Sequence, residues 1–282
     1  MKQLLLLLSL LLMAQWSIGQ GRSSNRYVRK IMDDSKFYAG FRVGAQYNNL
    51  RIVQSYNMLE QLAGSQEGYQ KEYEGIMAQV QPSVAIQLYY YPVHVIGFTF
   101  QPTLSMMSWE YSNSYQWASE NVNLASDYTF KHKITSFDLP LMAKLTAPLG
   151  NLQVYAQGGA YFSVLFDATK KVEIIDTEIT NAGEFITESV RREGFEQQLQ
   201  PYHWGYIAGG GLSIDVHTVR LGLEAYYKIP MQQPFLAEMR YQQGGYLSSI
   251  YDVMDDWEYS GLEVALSVTI PLDHIAMMYR SK

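Results

Sequence analysis

Ile134-Thr135-Ser136-Phe137-Asp138-Leu139-Pro140-Leu141-Met142-Ala143-Lys144-Leu145 is the stretch on which the fold turns. Side chains alternate between the two faces of an extended strand. Phe137, Leu139, Leu141, Ala143 and Leu145 therefore share one face, and Ser136, Asp138, Pro140, Met142 and Lys144 share the other. In a soluble sandwich the face with the acid and the base looks at water. In a membrane barrel it looks into the lumen and the apolar face looks at lipid.

Seven other segments carry the same alternation, near residues 37–46, 80–90, 96–106, 153–164, 203–214, 219–228 and 261–270. Each is about the length a tilted strand needs to cross a bilayer's hydrocarbon. Their connections alternate long and short. Residues 48–78, 109–127, 167–202 and 230–256 form the long set, and turns near Pro92, 146–151 and 215–218 form the short set. A sandwich has no reason to gather every long loop at one end, whereas an up-and-down barrel does. The expectation is an all-β fold, an eight-stranded antiparallel up-and-down transmembrane β-barrel over residues 37–271. Tyr90, Phe130, Phe162, Trp204, Tyr227 and Trp257 suit an interfacial aromatic girdle. Pro102 and Pro140 fall inside adjacent strands, which predicts a β-bulge there.

The chain of 282 residues starts with Met1-Lys2 and an apolar run from Leu4 to Met13 broken only by Ser9. Ser17-Ile18-Gly19 then places small residues where a signal peptidase reads. Residues 1–19 are expected to be a secretory signal peptide, 20–36 a polar periplasmic leader and 272–282 a short tail. No later stretch approaches the ~18 apolar residues of a spanning helix, so membrane entry must be through strands. The absence of Cys excludes disulfides, thiolate metal sites and a cysteine nucleophile. A net charge of −6 argues against nucleic acid as a partner, because neutralising phosphates takes an excess of Lys and Arg.

Four segments resemble a known family. Ser136-Phe137-Asp138-Leu139-Pro140-Leu141-Met142-Ala143-Lys144 is similar to the "Y-L-E-L-P-L-L-A-K" strand of the PorT-like outer-membrane β-barrel domain of Bacteroidota. Residues 156–165, 204–211 and 221–227 resemble its "A-G-P-Y-x-G-Y-L-L", "F-G-L-V-A-G-A-G" and "L-x-L-E-A-R-Y" strands in the same order. Gly159 stands where that family's fifth strand has Pro. The resemblance implies an eight-stranded outer-membrane barrel, with long loops extracellular and both termini periplasmic. It also implies a link to type IX secretion, the setting of the family's named member.

The charged residues expected to line the lumen include Arg42, Asp138, Lys144, Glu224 and Glu263. Charges inside so narrow a barrel must pair, because isolated burial costs several kcal/mol. The prediction is an internal charge network, with Arg42, Glu224 and Glu263 at similar heights once the last strand closes on the first. Trp109, Tyr111, Tyr115 and Trp117 are candidates for a surface contact with protein or glycan. The five His residues show neither a nucleophile's base nor metal-ligand spacing, so no enzyme, metal or cofactor is expected. The expected partners are outer-membrane lipid and lipopolysaccharide, and other envelope or secretion proteins, around a monomeric barrel. The function readings are a membrane-embedded scaffold or a narrow channel.

Overall fold

The computed structural model describes residues 35–56, 80–118, 122–149, 151–180, 183–239 and 253–273. The expected signal peptide and most of the leader and tail lie outside these residues. The strands are β1 (Phe37–Gln54), β2 (Val80–Val93), β3 (Ile96–Phe100), β4 (Thr103–Ala118) and β5 (Val122–Leu149). β6 (Leu152–Thr180), β7 (Gly183–Gly194), β8 (Tyr202–Val216), β9 (Val219–Pro230) and β10 (Asp256–Pro271) follow.

All pairings are antiparallel, and the sheet closes on itself. β1 pairs β2 on one side and β10 on the other. β3 and β4 lie end to end between β2 and β5 in one unbroken register, so they act as a single wall strand. β7 pairs β6 but takes no place in the wall. Ten strands thus make an eight-strand ring plus one appended strand. Closure is what hydrocarbon demands, because it leaves no edge with unpaired backbone groups. No helix among the described residues is long and apolar enough to cross a membrane.

The faces of the wall are inside out relative to a soluble protein. Phe41, Val43, Val84, Ile86, Leu141, Leu145, Leu223 and Leu266 are exposed, while Arg42, Gln87, Gln101, Lys144, Glu224 and Glu263 are buried. Leu141 is 61% exposed and its neighbour Met142 is 1% exposed. One strand therefore offers apolar side chains to lipid and seals polar ones inside.

The structure corrects the expected strand ends. Residues 109–118, 122–127 and much of 167–202 are not loops. β5 and β6 run for 28 and 29 residues, roughly 90 Å each at the usual rise. They stay paired to Val122–Thr180, far beyond any bilayer. Above the apolar band the pattern inverts. Trp109, Tyr111, Tyr128, Phe130 and Trp257 point inward and are buried, and Glu110, Lys131 and Lys133 lie on the outer face. Phe130 and Trp257 therefore do not belong to a lipid-facing girdle, whereas Tyr90, Phe162, Trp204 and Tyr227 are exposed.

The expected proline bulge is also corrected, since the register keeps step past Pro102 and Pro140. Each proline removes one ladder donor instead. The Gln101 carbonyl opposite Pro140 accepts a hydrogen bond from Thr103 Oγ1 at 2.7 Å in its place. The register shift lies at Thr135/Ser136, where β6 carries Phe166 as an extra residue. Inward positions on β6 are odd up to Ser163 and even from Ala168, and Phe166 is left 77% exposed.

Leu141→Arg should block membrane insertion, since Arg at mid-depth on a barrel's lipid face costs about 2–4 kcal/mol. The sequence alone suggests that Met142→Arg is well tolerated. The packed contacts of Met142 with Tyr161, Ile207 and Tyr226 predict that it also fails, while Met142→Leu folds. Heat-modifiable gel migration of the three variants checks this.

Candidate functional site

The lumen holds a chain of alternating charges. Arg42 on β1 places Nη2 3.2 Å from Glu263 Oε1 on β10, and Nη1 4.0 Å from Glu224 Oε2 on β9. Lys228 Nζ is 3.5 Å from Glu263 Oε2 and 2.9 Å from Asp138 Oδ2 on β5. The order Glu224, Arg42, Glu263, Lys228, Asp138 runs along the barrel with its signs alternating. All five residues are at most 4% exposed. In so dry a setting each carboxylate needs several donors.

Those donors are present. Glu224 accepts from Tyr155 Oη at 2.7 Å, Tyr226 Oη at 2.6 Å, Gln87 Nε2 at 3.0 Å and Ser267 Oγ at 3.0 Å. Asp138 accepts from Ser105 and Ser163 at 2.7 and 2.6 Å. Glu263 accepts from Ser83 at 2.5 Å. The Arg42 guanidinium also lies 4.7 Å from the centre of the Tyr226 ring. Gly211 makes room for this arrangement, because a Cβ there would stand 2.7 Å from Tyr155 Oη.

The structure brings Arg42, Asp138, Glu224 and Glu263 together but holds Lys144 differently. Among the described residues Lys144 has no ion pair. Its Nζ lies 3.5 Å from the ring centre of Tyr155 and 4.4 Å from that of Tyr89. Aromatic faces rather than a carboxylate take up its charge. Lys228 is the member that sequence reading left out of the network. Its distant partners come only with the closed register. Lys144, Arg42 and Lys228 together match the charges of Glu224, Glu263 and Asp138.

Both ends of this ladder are capped. At the short-turn end, Tyr38, Tyr89 and Tyr91 cluster beside an Arg220–Asp215 pair at 2.7 Å. At the other end Trp109, Phe130, Phe195, Leu199, Phe235 and Trp257 belong to one apolar cluster. Phe195, Leu199 and Phe235 come from the segments after β7 and β9. These segments are knitted by the Leu199–Phe235 bridge and by hydrogen bonds from Gln200 N to Pro234 O and Leu236 N to Gln198 O, both 2.8 Å.

Trp109 and Tyr111, expected as surface contacts, are 5% and 4% exposed and line this inner cluster. The inward period of β4 simply continues to them. Tyr115 and Trp117 lie on β4, and their side chains are outside the described residues. His132 is stacked on Trp109 at 4.7 Å, and His203 Nε2 is 2.8 Å from Tyr259 Oη. Among the described residues no three His, Asp or Glu side chains are grouped to hold a metal ion.

Arg42→Met leaves two buried carboxylates without their guanidinium and should cost about 3–5 kcal/mol. Urea unfolding of the barrel in vesicles measures this, and Arg42→Met with Glu263→Gln should recover much of the loss. Wild-type stability in the single variant would show that the ladder carries no load.

No curated protein matches the chain. Among solved structures the chain is similar to Ail, the attachment invasion locus protein of Yersinia pestis, at 8% identity, covering 83% of this chain and 99% of that one, with a TM-score of 0.26. It is similar to Neisserial surface protein A at 11% identity, covering 83% and 96%, with a TM-score of 0.33. It is similar to OprG of Pseudomonas aeruginosa at 8% identity, covering 84% and 95%, with a TM-score of 0.35. The family described as the outer membrane protein beta-barrel domain matches residues 9–235. With that match and a strand order that closes on itself, the chain belongs to the outer membrane protein beta-barrel domain family.

Proposed function

We propose that the chain is a non-conducting, non-enzymatic scaffold of the outer membrane that carries a β-sheet platform outside the cell. The observation behind this is the closed lumen. A neutralised charge ladder fills its middle and an apolar cluster caps one end. No water-filled path suits such a lining, which counts against the narrow-channel reading. The cavity beside Asp138, His203 and Lys228 is about 40 Å³, room for a few waters.

The platform is the extended sheet of β4, β5, β6 and β7. Among the described residues its last strand has one edge without a partner strand, and it exposes Phe185, Ile186 and Val190. Edges of this kind take up further strands. In the proposed orientation this sheet and the long connections face outward, and both termini face the periplasm. The barrel is monomeric, and its ring needs no second chain. The PorT-like motifs support a role as an accessory of a secretion machinery, with other envelope proteins as partners. That role rests on the motifs alone.

Planar-bilayer recording of the purified barrel should be silent, and stepwise conductance would overturn the scaffold reading in favour of the channel. The chain lacks Cys, so Thr187→Cys on the exposed β7 is a clean probe of orientation. A membrane-impermeant maleimide should label it on intact cells. Labelling only after the outer membrane is breached would reverse the orientation.

A further inference from the structure

The outer face of β7 carries charges and apolar residues that its own sheet does not answer. Register partners share a face, so Lys131, Lys171 and Arg192 lie together on the outer side. Ile175 and Ile179 on β6, and Glu184, Ile186, Glu188 and Val190 on β7, share that side by parity. There Arg192 stands opposite Lys171, and Glu184 stands opposite Ile179. Neither Arg192 nor Glu184 has an ion pair among the described residues. Ile186 lies diagonal to both Ile175 and Ile179, and Val190 lies diagonal to Ile175. All four are exposed, well beyond the lipid-facing band. They form one patch of β-branched side chains beside an edge that has no partner strand among the described residues.

The sequence of β7 is complementary to itself in one antiparallel register. Two copies of a strand paired this way are related by a two-fold axis through the sheet, and one residue faces its own copy across that axis. With Glu188 on the axis, Ile186 of each copy faces Val190 of the other, and Glu184 of each faces Arg192 of the other. Thr187 then meets Ser189 on the inner face. Moving the axis to Thr187 sets Ile186 against Glu188, and moving it to Ser189 sets Ile186 against Arg192. Only the Glu188 register gives two ion pairs and two apolar pairs, against one meeting of like charges. A parallel mate would turn the outer face of one sheet beside the inner face of the other and leave the apolar patches on opposite sides.

The axis also fixes where the second barrel lies. A barrel wall stands along the membrane normal, so an axis through its face lies in the membrane plane and turns the second copy upside down. Glu188 is opposite Ile175, nine residues beyond Phe166 at the top of the lipid-facing band on β6. That is about 30 Å along the strand, or roughly 23 Å in height at a barrel's tilt. Two such bands would be held roughly 45 Å apart. We infer that β7 pairs with β7 of a second copy of this chain in a facing membrane, so that one continuous sheet bridges the two. Each barrel stays single within its own bilayer. The inference deepens the platform reading and rests on it.

The test uses the full mature chain in phosphatidylcholine vesicles, with clustering read by energy transfer between two vesicle populations carrying different dyes. Many weak contacts act together between vesicles, so wild type should cluster. Arg192→Glu vesicles should cluster about tenfold less with their own kind, because both ion pairs become repulsive, and so should Glu184→Arg vesicles. Mixing the two variant populations should restore clustering, since each then meets its complement. Glu188→Gln should strengthen it by removing the like-charge meeting. Dispersed wild-type vesicles, or variants that cluster alone as wild type does, overturn the pairing. A mixture that stays dispersed, or a loss of clustering in Glu188→Gln, overturns the register. Heat-modifiable migration confirms that each variant is folded. Silent bilayers with dispersed vesicles sink the pairing and leave the scaffold, whereas conductance with clustered vesicles sinks the scaffold and leaves the pairing.

Discussion

A chain in hydrocarbon cannot leave its first and last strands unpaired, and that one requirement arranges the rest of the molecule. Sixteen residues of β1, counted along its register from Tyr38 to Gln54, find partners on β10. Arg42 and Glu263 stand 221 residues apart in the chain and meet because of that closure. Once the ring is shut its interior is narrow and dry. Every charge inside then has to be answered by another side chain rather than by bulk water. The ladder from Glu224 to Asp138 is the outcome, with hydroxyls and ring faces taking up what the ion pairs leave over.

The same logic explains why the pattern inverts above the band. Within the bilayer the solvent of the outer face is lipid, so Phe137, Leu141 and Leu145 lie outside and Asp138, Met142 and Lys144 inside. Beyond the bilayer the solvent of that face is water. The strand itself does not change and its period of two is kept. What changes is which face is driven to bury apolar area. Trp109, Tyr111 and Phe130 accordingly close an ordinary hydrophobic core inside a barrel whose outer wall has turned to Glu110, Lys131 and Lys133.

That inversion sets how much was legible in the sequence. The membrane wall was readable because its alternation is long and its apolar face unbroken, as in 137–145 and 219–228. The lumen residues followed from parity alone, and Arg42, Glu224 and Glu263 could be grouped by height. Residues 109–118 and 122–127 read as a loop because the outward positions at their start are polar, Glu110, Ser112 and Ser114. An apolar side was sought on the lipid face, and it had moved to the other one. Carrying the parity of Met106 forward would have placed Trp109 and Tyr111 inside. Two features had no sequence signal. The β-bulge at Phe166 depends on where β6 must turn over to keep its inner face apolar. The aromatic cradle of Lys144 depends on Tyr89 and Tyr155 arriving from different strands.

Prolines sharpen the point about closure. Pro102 and Pro140 each delete a donor in adjoining seams, where an unpaired carbonyl is most costly. A bulge would have moved the neighbouring residues out of register and turned their side chains to the wrong solvent. Thr103 instead satisfies the Gln101 carbonyl locally, and Arg42 Nη2 donates to the same Thr103 hydroxyl at 3.2 Å. The repair of the wall and the anchoring of the lumen charge thus share one side chain. A substitution of Thr103 by Val keeps the shape of the residue and removes both bonds, so backbone pairing and charge burial in this barrel fail together rather than separately.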